Sequence, residues 1–208
     1  MIVFASICPH PPIILPEIGG KELKKVEKTV SAMKKLAKVF EESKPEKVVI
    51  ISPHPSPEYG AQVPLYYLMK SLPNLPVEEL SITFDSYREH YQWGERVGKK
   101  YQDSFERIAF VASGDLSHRL KEEGPYGFHP TGPEFDRKLV ELIKKEDVEG
   151  ILLLDPDLIE EAGECGLRSI CFLFGVLEGL NYDPEILSYE GPFGVGYLVV
   201  NFEINIGG

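Results

Sequence analysis

Three of the five histidines in the chain directly follow short apolar segments that have the pattern of buried strands. IVFASIC precedes CPHPP, KVVIIS precedes PHP, and IAFVAS precedes GDLSH. The carboxyl ends of parallel strands lie at one edge of an open α/β sheet, so loops that are distant in sequence meet there and form the ligand site. His10, His54 and His118 are therefore predicted to line one pocket, most simply a metal site with an acid/base histidine beside it.

The first two of these histidines lie between prolines, in Pro9-His10-Pro11 and Pro53-His54-Pro55. Proline fixes its own φ and biases the preceding residue toward extended backbone, as a rigid ligand loop requires. An ordinary proline turn explains His10 alone equally well, but two matching loops favour a functional pair. Two imidazoles with one carboxylate suit a ferrous centre that keeps open positions, and zinc accepts the same ligands. The sequence must then supply a third ligand.

Gly163-Glu164-Cys165-Gly166 is the best source of that third ligand. It directly precedes the nearly all-apolar segment 167–180, which predicts a buried helix. The free N–H groups and the dipole at a helix start favour a carboxylate or a thiolate. A helix cap with a solvent-facing Glu164 and a buried Cys165 explains the same pattern. Spacing alone does not decide which of the two residues would coordinate a metal.

The other candidate residues are acid/base or substrate groups. Asp115 is a candidate to orient an imidazole or the loop backbone, while His118 is a candidate to move protons near neutral pH. A buried histidine satisfied by a carbonyl is the alternative for His118. His129 lies in the Gly- and Pro-rich segment 123–133, a loop able to cover a pocket, and is a candidate substrate-binding residue. His90 lies among polar residues of a predicted helix and is expected at the surface.

Composition excludes several classes of partner. The chain has 33 acidic and 22 basic side chains, and a net charge of −11 argues against nucleic acid or an anionic membrane as the main partner. No apolar run approaches the roughly 20 residues of a membrane span, and the first residues lack the pattern of a signal peptide, so a cytoplasmic location is expected. The three cysteines have no repeating spacing, which disfavours a disulfide framework. GxGxxG, P-loop and GxSxG motifs are absent from the sequence.

Hydrophobic patterning predicts one α/β domain over residues 1–208, with a mostly parallel central sheet flanked by helices and an antiparallel edge from the C-terminal strands. Strands are predicted at 2–8, 47–52, 80–84, 107–112, 185–189 and 194–203. Helices are predicted at 23–40, 87–101, 133–145, 156–162 and 167–180, with a short helix or edge element at 65–72.

Six segments in order, PHPPI, SPHPSP, ASGDLSHRL, GPEFD, AGECGLRSI and SYEGPFGVGYLV, closely resemble the LigB-type class III extradiol dioxygenase superfamily. The branch that they resemble is the domain of the AmmeMemoRadiSam system, which is related to the Memo proteins. The resemblance extends over nearly the whole chain. In several relatives an AMMECR1-type domain follows, so such a domain on a separate chain is one candidate partner, and a second copy in a homo-oligomer is another.

The resemblance implies ferrous iron, Fe(2+), held by His10, His54 and a third ligand at Glu164 or Cys165, with His118 at the position of the acid/base histidine. In ring-cleaving members a catechol-type substrate chelates the iron, dioxygen takes an open position, and the ring opens next to the diol. Those members use a glutamate as third ligand, whereas the Memo branch resembles the CG dipeptide of this chain and places a cysteine there. A thiolate favours zinc or copper and puts ordinary ring cleavage in doubt.

The leading hypothesis is a ferrous-dependent extradiol-type dioxygenase that acts on a small catechol-like aromatic diol and dioxygen. The first alternative is a Memo-like metal-binding protein without ring-cleaving activity, linked to a radical-enzyme or redox system. The second is a zinc hydrolase that uses the same two histidines. Iron content with oxygen uptake favours the first reading, and zinc retention with ester or amide turnover favours the last.

Overall fold

The computed structural model describes residues 1–54 and 56–205 of the chain. Pro55, the second proline of the predicted loop around His54, lies outside the described residues. Within the described part, none of the helices has the length and apolar character that crossing a membrane requires.

One mixed sheet forms the centre of the fold. Its strands are β1 (Ile2–Cys8), β2 (Lys47–Ser52), β3 (Val77–Ser81), β4 (Ile108–Ser113), β5 (Tyr182–Glu190) and β6 (Tyr197–Ile204). They form a 6-stranded sheet in the order β3-β2-β4-β1-β6-β5. The strands β1 to β4 pair in parallel, whereas β6 pairs antiparallel with β1 and with β5. The predicted α/β class, with its antiparallel C-terminal edge, is confirmed.

Helices cover both faces of the sheet. They are α1 (Pro16–Gly19), α2 (Glu27–Glu42), α3 (Tyr59–Leu68), α4 (Tyr87–Gln102), α5 (Thr131–Lys144), α6 (Val148–Leu152), α7 (Pro156–Ala162) and α8 (Leu167–Val176). Two 3-10 segments, Pro12–Ile14 and Gly20–Val26, precede α1 and α2. The prediction for 156–162 is confirmed, and those for 87–101 and 133–145 are confirmed to within two residues at each end.

Several predicted boundaries differ from the structure by three or more residues, and three of these differences have a local reason. The element expected at 65–72 is α3, which starts at Tyr59 and contains Pro64, a residue that disfavours helix in sequence-based reasoning. The strand expected at 80–84 is Val77–Ser81, because pairing with β2, and not an apolar pattern, defines this half-exposed edge strand. The apolar helix expected at 167–180 ends at Val176, and Gly179 reverses the chain with a φ of 78°.

The sheet separates two apolar layers because neighbouring strand residues point to opposite faces. In β1, Ala5 and Ile7 face the layer formed with α4, α5 and α8, while Phe4 and Cys8 face the layer formed with α2 and α3. Phe4 packs edge-on against Phe40 of α2 at a centroid distance of 5.2 Å. All residues of β1 and β4 are buried, which keeps the ends of these strands fixed.

His90 is buried, with 1% of its surface exposed, so the prediction of a surface histidine is wrong. Its Nδ1 lies 2.9 Å from the Ser86 carbonyl, and its Nε2 accepts from the Thr83 backbone N–H at 3.2 Å. A carbonyl only accepts, so Nδ1 carries the proton. The polar neighbours of His90 belong to the outer face of α4, whereas the imidazole ties the start of that helix to the preceding loop.

Glycines allow α4 and α8 to approach closely. A Cβ added at Gly94 would lie 2.0 Å from the Phe172 carbonyl oxygen, and one added at Gly175 would lie 1.9 Å from the Tyr91 carbonyl oxygen. Since α8 carries the GEC segment at its start, this packing also fixes one side of the candidate site.

Gly94→Ala is expected to destabilise the protein because its methyl group would force the two helices apart. The free energy of unfolding should fall by about 1–3 kcal/mol, the usual cost of overpacking, despite the higher helix propensity of alanine. Urea unfolding followed by circular dichroism measures the change. Lys99→Ala, at an exposed position of the same helix, is the control and should have little effect; equal stability of the two variants would contradict close packing of α4 on α8.

Candidate metal centre

Three loops that leave the same edge of the sheet form the candidate site. Cys8 and Ser113, the last residues of β1 and β4, are partners in the parallel pairing, and the Gly114 N–H donates to the Cys8 carbonyl at 3.0 Å. The neighbouring strand β2 ends at Ser52, two residues before His54. The structure therefore brings His10, His54 and His118 to one edge, as the sequence predicted.

His10 is held with its Nε2 atom free for a ligand. The Ser113 hydroxyl donates its single proton to the Gly60 carbonyl, so it accepts from His10 Nδ1 at 3.0 Å. The neutral ring then carries its proton on Nδ1 and leaves the Nε2 lone pair exposed to the site. Burial, followed by the charge of His54, lowers the pKa of His10 to about 3, so the ring is neutral near pH 7. This is the protonation state that metal ligation requires.

His54 lies against His10, with ring centroids 5.0 Å apart. Its turn is fixed by Ser52, whose Oγ accepts from the His54 N–H at 3.1 Å and donates to the His54 carbonyl at 3.2 Å. Gly60 makes this turn possible, because an added Cβ there would lie 2.1 Å from Ser52 Oγ. Glu58 Oε2 lies 3.4 Å from His54 Nδ1. A carboxylate behind an imidazole is a common way to orient a metal-binding histidine.

Cys165 faces the two histidines. Its Sγ lies 3.6 Å from His10 Nε2 and accepts from the Asp115 backbone N–H at 3.3 Å. The thiol reaches this place because the backbones of Gly114 and Gly166 touch: a Cβ added at Gly114 would lie 2.2 Å from Gly166 Cα. Burial and the charge of Asp115 raise the pKa of the Cys165 thiol well above its ordinary value. A bound metal cation would have the opposite effect and lower the pKa, since a thiol that coordinates a metal loses its proton.

Glu164, the rival of Cys165, points elsewhere. Its Oε2 accepts from the Leu167 N–H at 2.5 Å, so the side chain caps the start of α8. It lines a separate cavity with Tyr87 and Arg168. Burial raises its pKa to about 7. The capping alternative predicted a solvent-facing Glu164 and a buried Cys165, but both side chains are partly buried.

Asp115 joins the loops after β1 and β4. Its Oδ1 accepts from the His10 backbone N–H at 3.0 Å, and its Oδ2 lies 3.9 Å from His10 Nε2. Burial raises the pKa of this carboxyl to about 6, against hydrogen bonding by His10 and the charges of His118 and His54, which lower it. Of the two roles predicted for Asp115, the structure displays the backbone one, toward the His10 loop.

Among residues 1–54 and 56–205, potential metal ligands form two groups that share one thiol. The first is His10, His54 and Cys165, and the second is Asp115, His118 and Cys165; within each group the ligand atoms lie within 4.8 Å of one another. Imidazole, thiolate and carboxylate together suit Fe(2+), zinc or copper, and the neutral state of His10 suits all three. The donor atoms thus fit the metal that the resemblance implies, whereas Glu164 belongs to neither group.

His118 lies beside this donor cluster. Its backbone N–H donates to the Ala162 carbonyl at 3.2 Å, which fixes the loop. Among the described residues its buried Nε2 atom has no hydrogen-bond partner, unlike the carbonyl-satisfied histidine considered as an alternative. Burial lowers the pKa of His118, while the charge of Asp115 raises it, so the ring is neutral and able to accept a proton near pH 7. Its ring lies 5.1 Å from that of Tyr126, with planes at 31°.

A cavity of about 500 Å³ opens over these side chains. It is within the usual range for small-molecule sites. Its walls combine prolines and aromatic rings with the chemical groups of the site; the lining residues are His10, Pro11, Pro12, His54, Pro57, Glu58, Tyr59, Gly60, Asp115, His118, Tyr126, Val195 and Tyr197. Tyr59, Tyr126 and Tyr197 were not singled out from the sequence, because isolated tyrosines carry no spacing signal.

His129 does not line this cavity. Its Nδ1 lies 2.7 Å from Thr131 Oγ1 and 3.9 Å from Glu161 Oε2, at the start of α5. The predicted covering loop does reach the site, but through Tyr126. The backbone N–H of His129 donates to the Arg119 carbonyl at 3.0 Å, which holds this part of the loop.

Asp136, in the GPEFD segment, supports the His118 loop and was not predicted to do so. Its Oδ1 accepts from the Ser117 N–H at 2.8 Å, and its Oδ2 accepts from the Tyr189 hydroxyl at 2.7 Å. Gly196 allows this approach, since an added Cβ would lie 2.2 Å from Asp136 Oδ2. An acidic residue at the fourth position of a predicted helix is expected to be solvent-exposed, and Asp136 was therefore not singled out. Its place among the apolar core positions of that helix is the signal that could have indicated burial.

Comparisons with known proteins place this fold and site in a family. Residues 55–200 match the model of the LigB family, described as the catalytic LigB subunit of aromatic ring-opening dioxygenase. Protein CA_C1420 of Clostridium acetobutylicum is 33% identical over 95% of this chain and 56% of its own length. The 3,4-dihydroxyphenylacetate 2,3-dioxygenase of Escherichia coli is 28% identical over 63% of this chain and 50% of its own length. The chain thus spans about half the length of these relatives.

A solved structure shares the fold. The crystal structure of uncharacterized protein JW3007 from Escherichia coli K12 superposes with a TM-score of 0.50 at 13% identity, covering 96% of this chain and 99% of that one. Fold and donor atoms together define an α/β protein with a cluster of side chains that could hold a metal ion at the carboxyl edge of its sheet. More particularly, the chain belongs to the LigB family of aromatic ring-opening dioxygenase catalytic subunits.

Metal binding should depend on Cys165 and not on Glu164. His10→Ala, His54→Ala and Cys165→Ala should each weaken binding of Fe(2+) or zinc by more than the roughly 10- to 100-fold that loss of an outer-shell partner costs. Glu164→Gln, the matched control, keeps its side-chain shape and should bind metal nearly as the wild type does. Anaerobic calorimetric titration and metal analysis of folded variants measure the effects. Strong loss in Glu164→Gln with little in Cys165→Ala would reverse the assignment.

Asp136 should make stability fall as pH rises. Burial raises its pKa from 3.8 to about 7, so the folded chain holds this proton more tightly than the unfolded chain does. The stabilisation is complete below about pH 4 and is lost as pH rises through about 7. Asp136→Asn, which does not ionise, should therefore lose less stability over this interval, by on the order of a few kcal/mol. Denaturant unfolding at several pH values tests this, with exposed Glu134→Gln as control; parallel curves for wild type and Asp136→Asn would contradict it.

Proposed function

We propose that the protein is a metal-dependent, extradiol-type ring-cleaving dioxygenase that acts on a small catechol-like aromatic diol. The observation that carries the proposal is the place of His118, which lines the cavity beside the donor atoms of Asp115 and Cys165 and whose buried Nε2 atom has no partner among the described residues. Membership of the LigB family supports the reaction class.

His10, His54 and Cys165 are the proposed metal ligands, with Asp115 holding the His10 loop in place. Fe(2+) is the proposed metal, and zinc and copper are the alternatives that the thiol admits. When bound, the metal supplies Lewis-acid and one-electron redox chemistry at the floor of the cavity. The three ligands come from two loops and a helix start, and the buried ends of β1 and β4 keep the His10 loop and the supporting Asp115 loop fixed.

His118 is the proposed acid/base residue. Its neutral imidazole, which lines the cavity, accepts a proton from a hydroxyl of the bound diol and returns it as the aromatic ring of the diol opens. Asp136 holds the backbone of the preceding residue, Ser117, and thereby the position of the imidazole. Tyr126, Pro11 and Pro12 provide apolar surface that excludes water from the diol.

A second candidate is a Memo-like metal-binding protein without ring-cleaving activity, linked to a radical-enzyme or redox system. The specific observation in its favour is the place of Cys165, 3.6 Å from His10 Nε2, where ring-cleaving members are expected to have a carboxylate. Thiolate is a soft ligand that favours Cu(I) and zinc over Fe(2+).

Metal analysis and oxygen uptake separate the two functions. Anaerobically purified protein, loaded with Fe(2+), is mixed with a panel of substituted catechols while dioxygen consumption and product absorbance are recorded. Stoichiometric iron with oxygen uptake and a ring-opened product supports the dioxygenase. Preferential retention of copper or zinc, with no uptake for any diol, supports the Memo-like alternative, and zinc retention with ester or amide turnover would point to a hydrolase.

His118→Ala should separate chemistry from metal binding. Removal of a positioned acid/base group costs about 10² to 10⁴ in turnover, while three other side chains still hold the metal. We therefore expect near-normal metal content and a large loss of kcat with an active diol. His129→Ala, outside the cavity, is the control and should retain turnover. Metal loss in His118→Ala, or unchanged turnover, would remove His118 from this role.

A further inference from the structure

The cavity has a buried floor and an exposed mouth. At the floor, His10, Asp115 and Tyr197 are 5%, 6% and 3% exposed. At the mouth, Tyr59 and Tyr126 are 45% and 61% exposed. A diol that reaches the donor atoms at the floor therefore leaves its ring substituent between the mouth residues, so these residues determine which substituents are accepted.

The charged groups of the cavity are all acidic. Among the described residues, the lining contains Glu58 at the mouth and Asp115 at the floor but neither lysine nor arginine. The Glu58 side chain is 65% exposed, so its carboxylate stands at the entrance. Arg119 and Lys121, which follow the His118 loop, donate to the Glu161 and Pro192 carbonyls. A carboxylate on the ring substituent would thus lie near the Glu58 carboxylate without a cationic partner in the lining, which is unfavourable.

The mouth suits a positive charge. The faces of Tyr59 and Tyr126 offer cation–π attraction to an ammonium group, and the Glu58 carboxylate adds direct charge attraction. Building on the proposed function, we propose that the site prefers aromatic diols with an ammonium-bearing side chain over those with a carboxylate-bearing side chain, and that Glu58 determines this specificity. The Escherichia coli relative is named for a diol of the opposite charge, 3,4-dihydroxyphenylacetate.

Equilibrium binding of three probes tests the preference without turnover. Zinc-loaded protein is titrated by calorimetry with 3,4-dihydroxyphenylethylamine, 4-ethylcatechol and 3,4-dihydroxyphenylacetate, which differ in side-chain charge. The amine should bind roughly tenfold more tightly than the acetate, the combined size expected for cation–π attraction and one exposed charge, and the neutral diol should lie between them. The same order in kcat/KM is expected with the iron-loaded protein.

Glu58→Gln identifies the residue responsible. It should bring the affinities of amine and acetate closer together by several-fold when they are measured at saturating zinc. Because Glu58 also lies beside His54, any weaker orientation of that ring affects all three diols alike, and the affinity for 4-ethylcatechol is the reference for the other two. Glu161→Gln is the matched control, because its carboxylate also lies beside a histidine, 3.9 Å from His129 Nδ1, but outside the cavity. This variant should keep the wild-type preference.

The outcomes distinguish this inference from the proposed function. Binding of all three diols with the acetate as tight as the amine, or an unchanged preference in Glu58→Gln, overturns the charge selection and leaves ring cleavage intact. If none of the three diols binds, both the proposed function and the proposed preference for ammonium-bearing diols are overturned.

Discussion

The approach of two backbones, at Gly114 and Gly166, is the constraint on which the site depends. It joins the end of a buried central strand to the start of the helix that covers it, and a single methyl group at Gly114 would overlap Gly166 Cα. Because the two segments touch, the thiol of Cys165 reaches His10, and the Asp115 N–H reaches the thiol. The packing of α4 against α8 holds the helix in that position, so the donor atoms depend on glycines that carry no functional group themselves.

Burial at this edge disfavours charge of either sign. It lowers the pKa of His10 to about 3 and raises that of Asp115 to about 6, while the thiol of Cys165 is held protonated. Without a cation, His10 and Cys165 are therefore uncharged near pH 7, while Asp115 carries the negative charge of this edge at a cost in folding free energy. A divalent ion would favour the thiolate and the carboxylate, because each would then have a charge partner where solvent screens charges weakly.

Sequence reasoning predicted the parts of this arrangement that local pattern determines. Apolar strands followed by histidine loops indicated the edge of the sheet at which the site lies. The prolines that flank His10 and His54 indicated rigid loops, and the glycines that flank Glu164 and Cys165 indicated a close approach of two backbones. The sequence could not decide whether Glu164 or Cys165 faces the donor cluster. Adjacent residues at a helix start point in different directions around the helix axis, and only packing determines which of them is directed at the site. Asp136, His90 and Tyr126 were missed or misplaced for the same reason: their partners, Tyr189 for instance, are distant in sequence, and polarity alone suggests exposure.

The division of the cavity into floor and mouth also bears on how members of such a family can diverge. The donor atoms lie at strand ends and a helix start that the core holds fixed, whereas Tyr59 and Tyr126 lie at partly exposed positions outside the donor groups. Substitutions at the mouth therefore change the surface that a ligand meets without the loss of stability that changes in a packed core bring. In such an architecture the reacting groups can stay in place while the residues around the ligand vary one at a time.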